Sequence, residues 1–177
     1  VIILKKTLEN RLAYLYSGEL FSIIIFVPTS YLINYAFPNL QLYSLYSFWV
    51  SFILLEFLLL QGTIYWYIKL KRLRNETNSI TPIKIVRQLH NLKIMNMIII
   101  VITIIVFAFD LIKWYLSLPF GLTITFFIYI FAILEFINYF YVQLSYNVSG
   151  IKDLLRSKKL KNSYINKDFK RIKKLEF

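Results

Sequence analysis

Asn96-Met-Ile-Ile-Ile-Val-Ile-Thr-Ile-Ile-Val-Phe-Ala-Phe-Asp110 carries no charge between its ends, and Thr103 is its only hydroxyl. Extended to Leu116, the stretch covers 96–116. A helix rising ~1.5 Å per residue needs about 20 residues to cross ~30 Å of hydrocarbon. Three further stretches have the same character, at 18–37, 47–68 and 120–144. Lipid admits only helices and closed barrels, because backbone polar groups find no water there, and these stretches lack the alternation of barrel strands. The sequence therefore predicts an all-α fold: a transmembrane four-helix bundle in residues 1–146, followed by a basic tail in 147–177. The first stretch reads as a lasting span rather than a cleaved signal. It is long, contains Pro28, and ends at Tyr35-Ala-Phe-Pro38 without a small-x-small site.

Composition agrees. Hydrophobic residues make up 58% of the 177, above the ~45–50% usual for soluble domains. The net charge is +12, yet of the 21 Lys and Arg only Lys113 lies inside a span. Lys5, Lys6 and Arg11 precede the first span, seven cations from Lys69 to Lys93 separate the second from the third, and ten from Lys152 to Lys174 follow the fourth. The short connections at 38–46 and 117–119 have none. The positive-inside rule then puts both termini and the middle loop in the cytoplasm. Abundant Ile, Lys, Asn, Phe and Tyr with scarce Ala, Gly and Pro suggest an A/T-rich bacterial genome, and so a bacterial plasma membrane.

Outside the spans, Thr81 before Pro82 reads as an N-cap, so the third helix is expected to start near Pro82. In the tail, Ile151, Leu154 and Leu155 share one face, as do Ile165, Phe169 and Ile172, with lysines opposite. Such a basic amphipathic C-terminal helix either lies among anionic headgroups or packs on the middle loop. A shift of 79 residues lays Phe52-Ile-Leu-Leu-Glu-Phe57 on Phe131-Ala-Ile-Leu-Glu-Phe136. Two tandem helical hairpins would explain the match, and so would chance in Ile- and Leu-rich sequence.

The informative residues are those that lipid rejects. Glu56 and Glu135 fall mid-span, with Asp110 and Lys113 in the outer half of the third helix. A charge at the bilayer centre costs at least ~2.5–3.5 kcal/mol, so these groups should face the bundle interior. Asn96, Thr103, Asp110 and Ser117 are seven apart and form one stripe. Lys113 is spaced to pair with Asp110, Asn138 stands one turn beyond Glu135, and Thr63 lies two turns beyond Glu56. Ser30 and Asn34 share a face after Pro28. The candidate binding residues are thus Glu56, Asp110, Lys113, Glu135 and Asn138. Two readings compete: hydrogen bonds that hold the helices together, or a site for an ion, solute or headgroup.

Enzyme chemistry finds no support. With no Cys and only His90, thiol catalysis, a two-His zinc site and bis-His haem are excluded by count. The four Gly form no phosphate cradle. No cofactor or metal is expected, and cations at span flanks suit anionic headgroups better than nucleic acid.

The run Leu134-Glu-Phe-Ile-Asn-Tyr-Phe-Tyr-Val-Gln-Leu-Ser-Tyr146, with Asp153-Leu-Leu and Leu160-Lys after it, resembles small four-helix membrane proteins of low-GC Gram-positive bacteria. Some of these are labelled general stress proteins. The resemblance implies a bacterial plasma-membrane protein and transfers no catalytic or binding residue. The expectation is a non-enzymatic accessory, sensing or interaction protein acting through cytoplasmic contacts, with anionic lipid, a protein partner or a second copy as its ligand. The alternative is a small transporter or channel using the intramembrane carboxylates.

Overall fold

A computed structural model describes residues 2–76, 80–143 and 161–173. Its long elements within these segments are all helices: α1 Ile2–Ala36, α2 Tyr46–Glu76, α3 Ile83–Lys113, α4 Gly121–Phe140 and α5 Tyr164–Lys173. Two 3-10 turns, Pro38–Leu40 and Leu42–Ser44, link α1 to α2 around Gln41, whose φ of 50° is left-handed. The first four helices are each long and apolar enough to cross a membrane.

Helix α2 is the centre. It packs against α1, α4 and α3, whereas α3 and α4 barely meet. The reason is in its sequence: Leu54, Leu55, Leu58 and Leu59, with Tyr65, Trp66, Leu70 and Leu73 further on, are all buried. The other three lay one stripe each against it. The matched hairpins are therefore not equivalent in packing, since α1 lies along α2 in a way that α3 does not along α4. A smaller cluster of Leu42, Leu45, Phe48 and Leu122 closes the end that carries the 3-10 turns.

Outer faces remain apolar. Helix α3 exposes Ile98, Val101, Ile102, Ile105, Phe109 and Ile112, and α4 exposes Phe127, Phe131 and Leu134. Water would tolerate contiguous apolar patches of only a few hundred Å². In hydrocarbon such a surface costs nothing.

The helices reach further than the spans read from sequence at the end holding Ile2, Glu76 and Ile83, and stop short of them after Lys113 and Phe140. Helix α1 starts at Ile2, not near Gly18, because Leu8, Leu12 and Leu15 continue its packing face. Arg74 Nε donates to Glu9 Oε1 at 2.7 Å at that same end. Helix α3 starts at Ile83 as expected, but Thr81 does not cap it. Its hydroxyl is drawn off by Asp168, and Pro82 O accepts the first amides, Ile85 and Val86. Helix α4 stops at Phe140, and α3 at Lys113. Past α4 the chain is pinned by Lys161, whose carbonyl accepts from Gln143 N at 2.9 Å.

The tail helix α5 is docked rather than free. Ile165 and Ile172 are buried, Phe169 stacks on Phe140, and His90 meets Phe169 edge-on at 5.6 Å. Lys167, Lys170 and Lys173 stay on its exposed face. The tail's first apolar face, Ile151, Leu154 and Leu155, lies outside the described residues.

Candidate functional site

Helix α3 meets α2 through its polar stripe. Asn96, Thr103 and Asp110 are each 0% exposed, and Ser117, beyond the helix end, is exposed. Asn96 and Gln61 exchange a reciprocal amide pair: Asn96 Nδ2 donates at 2.9 Å and Gln61 Nε2 at 3.1 Å. Thr103 Oγ1 donates to its own Ile99 carbonyl at 2.8 Å. Asp110 Oδ2 accepts from Ser47 N at 2.7 Å and from Ser47 Oγ at 2.6 Å. Asp110 therefore caps the first turn of α2 from a neighbouring helix. A carboxylate at a helix N-terminus also meets the positive end of its dipole.

Lys113 does not pair with Asp110, although the spacing allowed it. Its ammonium lies over the Tyr46 ring at 4.7 Å and the Trp114 ring at 5.6 Å, on an exposed position. The carboxylate is already oriented by Ser47, and an exposed cation keeps its hydration while resting on aromatic faces. Ser30 and Asn34 serve the turn between α1 and α2: Ser30 Oγ is 3.2 Å from Tyr43 Oη, and Asn34 Oδ1 accepts from Tyr43 N. Thr63 donates to its own Leu59 carbonyl, not to Glu56. Both Glu56 oxygens are buried without a hydrogen-bond partner.

A second polar cluster joins α1, α2 and α4. Trp66 Nε1 donates to Glu19 Oε1 at 2.7 Å. Glu19 Oε2 and the Tyr139 hydroxyl, both buried, face each other against the bare Cα of Gly62. A Cβ at Gly62 would lie 2.6 Å from the Tyr139 hydroxyl and would overlap Glu19 Oε2, so only glycine lets both oxygens approach the α2 backbone. One turn back on α4, Glu135 Oε2 accepts from Asn138 Nδ2 at 3.3 Å. Asn138 and Tyr139 line, with Glu19 and Trp66, a cavity of about 30 Å³ that Gln143, Ser163 and Tyr164 close. The structure thus gathers Glu135 and Asn138 near Glu19, leaves Glu56 alone, and puts Asp110 and Lys113 at the opposite end.

At the basic end Asp168 is the node. Its Oδ2 accepts from Thr81 Oγ1 at 2.7 Å and Tyr65 Oη at 2.8 Å, with Lys69 Nζ at 3.2 Å. Arg171 stands 3.4 Å from Oδ1 and donates to the Thr81 carbonyl at 2.6 Å. One carboxylate thereby ties α5 to α2 and to the turn before α3.

Sequence reading passed over Glu19, Gln61, Ser47 and Asp168. Glu19 sits at the very start of the first apolar stretch, where a charge can still reach the interface and so does not stand out. Asp168 left a readable signal, being the one acid of Tyr164–Lys173 and on the face of Ile165 and Ile172. Comparison with family models, with curated proteins and with solved structures gives no match to this chain.

Proposed function

We propose that this chain is a non-enzymatic multi-pass protein of a bacterial plasma membrane, of accessory or sensing type, with its termini in the cytoplasm. Its working surface is the basic end, where α5 presents Lys167, Lys170 and Lys173 to anionic headgroups or to an acidic partner. The observation that carries this reading is the Asp168 node, which fixes α5 rigidly and turns those lysines outward. A fixed array of cations presents one charge pattern, whereas a loose tail presents many. The intramembrane polar groups support it from the other side. Asp110, Asn96, Gln61 and Trp66 spend their hydrogen bonds on neighbouring helices, as bundle adhesives in lipid do.

Gentle solubilisation from native membranes should recover the protein with a stoichiometric partner, a second copy or retained anionic lipid. Replacing Lys167, Lys170 and Lys173 together by Gln should release it without unfolding the bundle. Bare monomer in both cases ends the proposal.

The two unpartnered oxygens of Glu56 favour a second reading, a small transporter or channel. Flux through reconstituted protein that neither Glu19→Gln nor Glu56→Gln alters would dispose of it.

A further inference from the structure

The cleft between α3 and α5 joins two kinds of surface. Its floor is apolar, formed by Val86, Phe169 and Ile172, and its rim carries Arg87, His90, Asn91 and Lys173. Val86 and Ile172 are buried, the four rim residues are exposed, and the His90 and Phe169 rings meet at 5.6 Å. The space measures about 460 Å³, within the ~300–1,000 Å³ of typical ligand clefts. Asp168, the one acid of α5, is met by Lys69 and Arg171 and does not line the cleft. The rim therefore offers a guanidinium, an ammonium, an imidazole and an amide, which is a set of donors for an anion.

What sets the cleft apart from a plain basic surface is where α3 leads. Arg87, Asn91, Ile94, Ile98, Val101 and Ile105 are three or four residues apart, so they share one face of the helix. The four apolar members of that face are 50–64% exposed. At ~1.5 Å per residue, Asn91 stands about 4–5 Å before Ile94, within a headgroup layer ~5–7 Å deep. From Ile94 to Ile105 the helix rises about 16 Å, close to the ~15 Å depth of one leaflet. One continuous face thus runs from cations at headgroup level to bare aliphatic side chains at acyl-chain level. An anionic amphiphile matches both parts in that order, whereas an acidic peptide or a nucleic acid matches only the first.

We infer that the α3–α5 cleft seats one anionic phospholipid, its phosphate between Arg87 and Lys173 and an acyl chain along Ile94, Ile98 and Val101. His90 and Asn91 stand beside the phosphate as further donors. The two cations come from different helices, so the phosphate bridges them and fastens α5 to α3, on a side of α5 that Asp168 does not hold. The inference rests on the reading that this basic end lies against anionic headgroups, and narrows the ligand there from a charged surface to a single seated lipid.

The full chain is placed in nanodiscs of phosphatidylcholine with rising fractions of phosphatidylglycerol, then released for native mass spectrometry. One phosphatidylglycerol should stay bound, saturably and in preference to phosphatidylcholine. Amide exchange across 161–173 should slow as it binds. Arg87→Gln with Lys173→Gln should weaken retention by about tenfold or more, since each removes a charge-assisted bond to phosphate. Lys167→Gln with Lys170→Gln loses the same charge outside the cleft and should leave the lipid in place. Lys173→Gln alone decides the matter should Arg87→Gln disturb the fold. Glycerol phosphate in excess should not displace the lipid, because it has no chain to lay on α3. Equal retention of the two lipids overturns the inference, as does displacement by glycerol phosphate. Equal loss from both double variants overturns it too, while leaving the broader reading of α5 as a charged surface standing. Both leaflets of a nanodisc are alike, so an inverted orientation in the cell would not disturb the result.

Discussion

Asp110 of α3 holds the first turn of α2 through Ser47, one carboxylate oxygen accepting both the amide and the hydroxyl at 2.7 and 2.6 Å. The cap comes from a different helix, so it secures a terminus and a helix–helix interface together. Asp110→Ala should cost about 1–3 kcal/mol, the usual penalty for stranding buried hydrogen-bond donors. Ser47→Ala should cost about 1 kcal/mol, because the amide bond to Asp110 survives. The double variant should lose little more than Asp110→Ala, since both act in one interaction. Denaturant titration in mixed micelles measures all three. Strict additivity would contradict the arrangement.

Gln61 and Asn96 make a tighter test of polar adhesion between helices. Either residue changed alone to Leu should destabilise by about 1–2 kcal/mol, leaving an amide without its partner in an apolar surround. Changing both should recover most of the loss, because two facing leucines leave nothing unsatisfied. A thermodynamic cycle with no coupling between the positions would refute the reciprocal pair.

The fold was legible where one helix sufficed to reveal it. Four apolar stretches of the right length are visible without any partner, and so is the heptad stripe of Asn96, Thr103 and Asp110, because spacing alone puts them on one face. What those groups bind was not legible. Gln61 is 35 residues from Asn96 and Ser47 is 63 from Asp110, and no local pattern encodes such a meeting. Local pattern also misled: Lys113 had the spacing to pair with Asp110, but a cation at an exposed helix end gains more from solvent and the Tyr46 ring. Of the candidate site, Glu135 and Asn138 were found, while Glu19 and Gly62 were not. Gly62 acquires meaning only once α1 and α4 have closed on it.

Asp168 is the fastening of α5. Asp168→Ala removes the acceptor shared by Tyr65, Thr81 and Lys69 and leaves Lys69 buried without its counter-charge. Breaking a buried pair in this way typically costs about 3–5 kcal/mol. The apolar seat of Ile165, Phe169 and Ile172 is small for a ten-residue helix, so the loss should appear as undocking. Amide exchange across 161–173 should speed by orders of magnitude while exchange in α2 stays slow. Unchanged exchange across α5 would count against the node.

Two glycines should behave oppositely. A Cβ at Gly121 would run into the Leu40 backbone carbonyl, so Gly121→Ala must push the 3-10 turns off α4, at about 1–3 kcal/mol. Around Gly18 there is open space within 4 Å, and Gly18→Ala should stabilise α1 by about 0.5–1 kcal/mol. Paired melting curves in one detergent check both signs.

The absence of cysteine makes topology directly measurable. Cysteine introduced at Asn39 should react with an impermeant maleimide in intact cells, and cysteine introduced at Lys170 only after the membrane is opened. The reverse pattern would invert the orientation that positive charge predicts.

Because α2 touches every other span while α3 and α4 scarcely touch one another, biosynthesis has a built-in sequence of events. The second segment to leave the ribosome is the template on which the last two are seated, so neither can settle early against the wrong neighbour. A chain severed between 76 and 80, its halves made separately in one cell, would still reassemble, since the fragment bearing α1 and α2 already displays the whole receiving surface.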